Sequence, residues 1–378
     1  MQTNEKKLDV KRLRIAVFFG GCSSEYGVSL QSASAVLKNL DVQKYEPVPV
    51  GITKEGDWFY FTGSLAQIQA DTWQQEKDCI PAVLSPNRSE RCLLLFERAG
   101  VRRLPIDLVF PVLHGKNGED GTVQGAAALA GIPLAGCGVL ASALCMDKDR
   151  AHRLVEAAGV RVPRAFVLKA GEDLKAVQEF AAGIGYPLFI KPVKAGSSYG
   201  ISRVSTPENL HNAIMLALSY DKEVIVEEAI DGFEVGCAVL GNKELLTGEV
   251  DEIELSGGFF DFTEKYTLKT SAIHVPARIR PEQQEQVKQT AKIIYRALGC
   301  SGFARVDCFL TPEGGIVFNE VNTIPGFTEH SRYPGMMQAA GYSFGEILDR
   351  IIALALEAGE MQEENGYGKV WDKKEKAI

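Results

Sequence analysis

The sequence predicts an α/β protein whose central and C-terminal parts are α+β in character, and three observations lead there. Short apolar runs alternate with helix-periodic segments through the first third. A second, shorter alternation follows in the middle. Near the end, two apolar strands flank a tight Pro-Glu-Gly-Gly turn. A length of 378 residues is enough for two or three compact units.

In chain order, residues 13–19 form a β-type run, Gly20 and Gly21 make a turn, and residues 28–40 carry apolar positions at helical spacing. Residues 45–52, 107–113 and 132–134 also read as strands, so the first third is an open α/β unit whose strand-end loops are candidate ligand sites. The pattern turns helical over 146–158. Segments 187–193, 201–204, 207–219 and 223–229 then alternate strand and helix in a smaller α+β unit. Beyond it come further strands, a loop rich in Gly and aromatics at 256–266, and a helix at 281–298. A hairpin with arms 302–310 and 316–322 follows, then an amphipathic helix near 343–357 and a polar tail. There are no internal repeats and no low-complexity linker.

Composition narrows the function classes. With 46% hydrophobic and 24% charged residues, the chain falls outside the disordered and membrane regimes. The balance of 41 basic to 49 acidic residues, net -8, offers no phosphate-backbone footprint, so nucleic acid is excluded as the main partner. Eight cysteines without a CxxC pair or metal-ligand spacing read as reduced thiols of a cytoplasmic protein. Gly20 and Gly21 end the first apolar run before it matches a signal sequence. The uncharged stretch 125–146 is interrupted by Gly131, Pro133, Gly136 and Gly138, which argues against a membrane span.

The hairpin is the most informative local feature. A four-residue turn, 312–315, pairs Thr311 with Ile316; counting outward sets Asp307 opposite Glu320 and Arg305 opposite Asn322, four polar residues on one face. Such an oxygen-rich cluster suits a hard divalent cation completed by a triphosphate, or else it is a solvated face with an ordinary ion pair. Residues 191–200, Lys-Pro-Val-Lys-Ala-Gly-Ser-Ser-Tyr-Gly, offer small residues and backbone amides to phosphates, with Lys191 as a point charge. The alternative is a plain Gly/Ser loop. His114, in a strand-end loop that continues through Gly118-Glu119-Asp120-Gly121, is either a substrate contact or a structural histidine. Glu25 either holds a substrate ammonium or complements a helix N-terminus.

Taken together, these segments resemble the D-alanyl-D-alanine ligase family of ATP-grasp enzymes over about residues 14–358. The motifs are Phe19-Gly20-Gly21 with Ser24-Glu25, His114-Gly115 with Gly118-Glu119-Asp120-Gly121, Met146-Asp147-Lys148, Ile190-Lys191-Pro192 with Gly196-Ser197-Ser198, and Glu320-Val321-Asn322-Thr323 with Pro325-Gly326. Asp251, Phe260, Glu264-Lys265-Tyr266 and His330-Ser331-Arg332 further resemble the VanG-type D-alanine-D-serine ligases of vancomycin resistance.

The resemblance implies a three-domain ATP-grasp architecture, with an N-terminal substrate-binding domain (1–136), a central subdomain (137–230) and a C-terminal ATP- and metal-binding domain (231–378). ATP would contact Lys148, Lys191, Ser198 and Lys265 through its phosphates, with Glu227, Glu228, Ala229 and Ile230 beside the adenine and Glu234 at the ribose. Asp307, Glu320 and Asn322 would hold two magnesium ions, with Mn2+ an allowed substitute. Glu25 would bind the ammonium of the first D-alanine, with His114 nearby, while Ser197 and Tyr266 orient the site. Arg305 and the amide of Gly326 would stabilise the tetrahedral centre, and Ser331 would receive the carboxylate of the second substrate.

That substrate is expected to be D-serine, with Arg332 the main cause, Asp251 pairing with it and Phe260 walling the pocket; a solvated arginine at the mouth of a D-alanine site is the alternative. Residues 256–269 are expected to form a lid, and a homodimer is expected because relatives are commonly dimers. Gly27 and Glu329 depart from the family pattern, and no role is carried over to either. A housekeeping D-alanyl-D-alanine ligase or a non-catalytic ATP-binding regulator are the competing readings.

Overall fold

The computed structural model describes residues 12–196, 199–255 and 271–364. Strands β1 (Leu13–Gly20), β2 (Tyr45–Ile52), β3 (Trp58–Phe61), β4 (Cys79–Leu84), β5 (Cys92–Glu97), β6 (Gly100–Pro105) and β7 (Leu108–Pro111) form a seven-stranded sheet in the order β6-β5-β4-β3-β2-β1-β7. Only β2, β1 and β7 run parallel; β3 to β6 extend the sheet as antiparallel hairpins. Residues 132–134, expected to be a strand, make an isolated bridge between Leu134 and Val109. Pro133 has no N–H to continue a ladder, and the chain turns at the positive-φ Gly131 and Gly136 on either side.

Helix α1 (Tyr26–Asn39) starts earlier than its apolar pattern suggested and buries Leu30, Ala33, Val36 and Leu37, the spacing of a single helical stripe. Gly20 makes the entry possible. Its φ is +89°, and a Cβ there would stand 2.1 Å from the Ile52 carbonyl oxygen.

Helices α2 (Leu65–Gln69) and α3 (Thr122–Ala130) complete the N-terminal part, and the helical stretch expected at 146–158 is one helix, entered directly after another. α4 (Val139–Met146) ends at Asp147, whose side chain accepts from the Arg150 amide and so caps α5 (Lys148–Ala157). Next comes an antiparallel four-stranded sheet ordered β10-β9-β11-β8, made of β8 (Ala165–Lys169), β9 (Leu188–Pro192), β10 (Ser202–Val204) and β11 (Glu223–Glu228). Its core is closed by α6 (Lys175–Ile184) and α7 (Leu210–Leu218).

A third, antiparallel sheet holds β12 (Phe233–Leu240), β13 (Leu246–Thr247), β14 (Asp251–Leu255), β15 (Ser271–His274), β16 (Phe303–Leu310) and β17 (Ile316–Asn322). Its order is β15-β14-β12-β16-β17, with β13 paired to β12. Helix α8 (Pro281–Ala297) packs Val287, Ala291, Ile294 and Tyr295 into its core. α9 (Arg332–Ala339) and α10 (Phe344–Glu364) return to the first sheet. Among the described residues no helix is long and apolar enough to cross a membrane.

The first and third sheets share one core. Phe303 at the start of β16 lies 6.4 Å from Phe110, 5.8 Å from Phe327 and 5.4 Å from Tyr333 between ring centroids. Phe303→Ala should therefore cost about 3–5 kcal/mol in urea denaturation, whereas Leu140→Ala, at a residue 71% exposed, should change stability by under about 0.5 kcal/mol. Equal losses for the two variants would contradict this packing.

Candidate active site

The hairpin register places the polar residues, by a route the turn length did not suggest. Leu310, not Thr311, pairs with Ile316, leaving a five-residue turn in which the Thr311 hydroxyl accepts from the Gly315 amide. A bulge then restores the count: Cys308 pairs with Phe318, Asp307 with Glu320, and Asn319 between them has no partner. Asp307 therefore faces Glu320 and Arg305 faces Asn322.

The row continues across the sheet. Gly236 on β12 pairs with Asp307 on one side and with Asp251 on β14 on the other, so Asp251, Gly236, Asp307 and Glu320 lie abreast on one face. The missing side chain at Gly236 leaves room for Arg332 from the start of α9. A Cβ at that position would stand 2.4 Å from Arg332 Nη2. Arg332 donates from Nε and Nη2 to the two Asp251 oxygens at 2.7 and 2.8 Å and from Nη1 to Glu234 Oε1 at 2.8 Å, and its Nη2 lies 3.3 Å from Asp307 Oδ1. It is only 8% exposed, so the solvated alternative for Arg332 does not apply. Arg305 donates to both Asp307 oxygens at 2.7–3.0 Å, and Asn322 Nδ2 donates to Asp307 Oδ2 at 2.9 Å.

Two guanidiniums thus sit in low dielectric among carboxylates. Burial alone would lower the Arg332 pKa, but Asp251 and Asp307 outweigh it and hold the value well above the ordinary one. Glu234 behaves the other way. Burial pushes its carboxyl above the usual carboxylate range, and the pull of Arg332 does not fully offset burial and the repulsion from Asp307 and Glu320.

Beside the row opens a cleft of about 730 Å3 between the second and third sheets. Lys148, Lys191, residues 227–230, Glu234, Glu320 and Arg332 all line it. Lys148 Nζ donates to the Ala195 carbonyl at 2.7 Å, and Lys191 Nζ stands 2.7 Å from Glu227 Oε2. Burial raises the Glu227 carboxyl, yet Lys191 and His152 outweigh it and keep the group below its ordinary range. Glu228 instead turns to Arg164, accepting at 2.7 Å.

A cavity of about 40 Å3 adjoins the cleft and is lined from all three parts of the chain: Glu25, Glu119, Lys148, Gly196, Glu320 and Asn322. Glu25 reaches it between two loops, where Cβ atoms on Gly115 and Gly196 would lie 2.7 and 3.0 Å from Glu25 Oε2. His114 is buried at the seam between the N-terminal and C-terminal parts, with Nδ1 2.9 Å from the Ile324 carbonyl and Nε2 3.3 Å from the Ser32 hydroxyl. Glu119 clamps the same seam by accepting from the Gly115 and Ile324 amides. The Ser331 hydroxyl accepts from the Thr328 amide at 2.9 Å and adjoins Gly326.

Ser197, Ser198, Phe260, Lys265, Tyr266 and the expected lid at 256–269 lie outside the described residues. His152 escaped sequence reading. It sits one helical turn beyond Lys148 on α5, a spacing that puts both on one face and could have flagged it.

As cation ligands, Asp307, Glu320 and the Asn322 carbonyl oxygen are hard donors of the type Mg2+ prefers. Among the described residues no three acidic, imidazole or thiol groups already converge on a point. A cation here would complete its shell with phosphate oxygens, and the donor set fits that use.

A cleft of this size between two antiparallel sheets, lined by lysines and carboxylates, is the arrangement of the ATP-grasp ligases. Family models described as D-ala D-ala ligase N-terminus and C-terminus match residues 14–137 and 154–353, and the chain belongs to the D-alanyl-D-alanine ligase family. It is similar to the solved VanG D-Ala:D-Ser ligase from Enterococcus faecalis, with 57% identity, a TM-score of 0.85, and 91% of this chain and 100% of that one covered. A putative D-alanine–D-lactate ligase of Streptomyces coelicolor is 45% identical, over 91% of this chain and 98% of the relative. The Bacillus anthracis D-alanine–D-alanine ligase complexed with ATP is 28% identical at a TM-score of 0.70, over 93% of this chain and 99% of that one.

The Lys191–Glu227 pair yields a stability prediction. Because the folded Glu227 carboxyl titrates below its unfolded value, the pair's stabilisation is complete above the unfolded range, roughly pH 4–5, and is lost as pH falls through the folded value. Lys191→Met strands a buried carboxylate and should cost about 3–5 kcal/mol near pH 7. Adding Glu227→Gln should recover much of that loss, and acidification should shrink the penalty of the single variant. A pH-independent loss that Glu227→Gln does not relieve would contradict the pairing.

Proposed function

We propose that the protein uses ATP to join D-alanine to D-serine through D-alanyl phosphate, making an altered peptidoglycan-precursor dipeptide of the kind that underlies vancomycin resistance. The observation that carries the D-serine assignment is the buried Arg332–Asp251 pair. A methyl group gives a guanidinium no acceptor, whereas a serine hydroxyl gives it one, directly or through water. The 57% identity to the VanG D-Ala:D-Ser ligase supports the same reading.

The chemistry follows from charge. A carboxylate is a poor acyl donor, so a D-alanine oxygen first attacks the γ-phosphorus of ATP and ADP departs. The D-serine amine then attacks the acyl carbon and inorganic phosphate leaves. Glu25, facing the small cavity, holds the ammonium of the first D-alanine, with His114 behind it. Lys148 and Lys191 draw the polyphosphate into the cleft, where residues 227–230 border the adenine and Glu234 the ribose. Mg2+ or Mn2+ held by Asp307, Glu320 and Asn322, two ions in all, would offset the repulsion between the phosphoryl group and its attacking carboxylate. Arg305 and the Gly326 amide oppose the charge that grows on the tetrahedral carbon, and Ser331 takes the second carboxylate. Ser197, Ser198, Lys265 and Tyr266 complete the phosphate and substrate contacts, and residues 256–269, with Phe260, close the site against water.

The three sheets support units at 1–136, 137–230 and 231–378. Eight free thiols support a cytoplasmic setting, and a homodimer is the assembly proposed. The competing reading is D-alanyl-D-alanine synthesis, favoured by the match to the B. anthracis enzyme. The intact set of Lys191, Arg305, Asp307, Glu320 and Asn322 argues against a non-catalytic regulator.

With D-alanine, D-serine and D-lactate supplied together near neutral pH, D-alanyl-D-serine should exceed D-alanyl-D-alanine by about tenfold or more, with little depsipeptide. Arg332→Lys keeps the charge but loses the two-pronged pairing, and should bring the ratio toward one. A wild-type preference for D-alanine, or a ratio that Arg332→Lys leaves unchanged, would overturn the D-serine assignment.

A further inference from the structure

The Asn319 bulge creates a need that one side chain meets. With no partner on β16, Asn319 turns its half-buried carbonyl out of the ladder, and a carbonyl shielded from water that lacks a donor costs free energy. His152 on α5, 4% exposed, supplies the donor: its Nε2 lies 3.0 Å from the Asn319 oxygen. A carbonyl only accepts, so Nε2 carries the hydrogen. The ring stands edge-on to Phe318 with centroids 5.4 Å apart, and its Nδ1 is 3.7 Å from Glu227 Oε1. One imidazole therefore touches the bulge, the residue before it, and the carboxylate that pairs with Lys191.

The bulge decides which face Glu320 occupies. A regular ladder continued outward from the Leu310–Ile316 pair would set Asp307 opposite Asn319 and Arg305 opposite Val321. Glu320 and Asn322 would then turn to the other face, because a one-residue slip inverts every side chain beyond it. Removing the donor to the Asn319 carbonyl favours that slip, since the ladder would offer the carbonyl a partner again.

We propose that His152 is a positioning residue: by donating to the Asn319 carbonyl it holds the β17 bulge that stands Glu320 opposite Asp307, and it thereby sets the affinity of that carboxylate pair for a divalent cation. The inference rests on the reading of Asp307, Glu320 and Asn322 as cation ligands and needs no change in the charge of the ring. It also explains why a histidine with no route to substrate occupies the face of α5 that carries Lys148.

The test compares two unbranched replacements of similar length, one that can donate and one that cannot. Mn2+ binding is titrated by electron paramagnetic resonance in the presence of ADP, without turnover, and ADP binding is measured separately in EDTA. His152→Met should weaken Mn2+ binding about tenfold, while His152→Gln, with its amide N–H, should stay within about threefold of wild type. ADP binding in EDTA should be unchanged in both. Equal Mn2+ affinities for the two folded variants, or an equal loss in both, would overturn the role of the hydrogen bond. If His152→Met does not fold, His152→Leu against His152→Gln makes the same comparison. Glu320→Gln separates the two levels: should it bind Mn2+ as wild type does, the cation site itself is misassigned and the inference falls with it. Should it lose Mn2+ while His152→Met does not, only the inference falls.

Discussion

Four abreast positions on the third sheet, Asp251, Gly236, Asp307 and Glu320, carry the constraint on which the rest of the site depends. Three carboxylates in one cross-strand row would repel one another and lose hydration on burial. The structure offsets this with Arg305 from within the sheet and Arg332 from the start of α9, and it leaves Gly236 bare so that Arg332 can reach two members of the row. Each guanidinium costs much desolvation, and neither is tolerable without the carboxylates it meets. The cluster is therefore fixed as a unit, and the position of α9 is tied to the sheet through one side chain.

From that unit the cleft and the small cavity diverge. The cleft runs toward Lys148 and Lys191, whose charges are restrained by the Ala195 carbonyl and by Glu227. The small cavity runs toward Glu25 and Glu119 of the N-terminal part. Glu320 lines both, which places it where a phosphoryl group passing from nucleotide to amino acid would need charge compensation. Rigidity at this junction comes from the seam around His114, Glu119 and Ile324, where buried hydrogen bonds join elements more than 200 residues apart.

Much of this was legible in the sequence because period-two alternation speaks directly about faces. Asp307 opposite Glu320 and Arg305 opposite Asn322 follow from counting along the hairpin, although two departures, a longer turn and the Asn319 bulge, cancel in the count. Neither departure leaves a local signature, since Pro312-Glu313-Gly314-Gly315 accommodates either turn. The antiparallel extension β3 to β6 was not legible. β4 contains Pro81 and β6 exposes Arg102 and Arg103, which obscures those two strands, while β3 (Trp58–Phe61) and β5 (Cys92–Glu97) are apolar runs whose antiparallel pairing no turn motif announces. The start of α5 at Lys148 was readable in principle from its capping residue Asp147. Gly236 meets Arg332 far along the chain, and a single sequence carries no sign of that contact, whereas the four-residue spacing from Lys148 is the one signal that marks His152.

The central claim is that the carboxylate of D-alanine is activated by phosphorylation before the second amino acid attacks. Labelling both carboxylate oxygens of D-alanine with 18O and analysing the inorganic phosphate released during dipeptide formation tests it most directly. The account predicts one 18O atom per phosphate released, since the acyl oxygen must leave with phosphorus when the amine displaces it. Phosphate free of label, formed in step with the dipeptide, would contradict the acyl-phosphate route and with it the assignment of the cleft and the Asp307–Glu320 row to phosphoryl transfer.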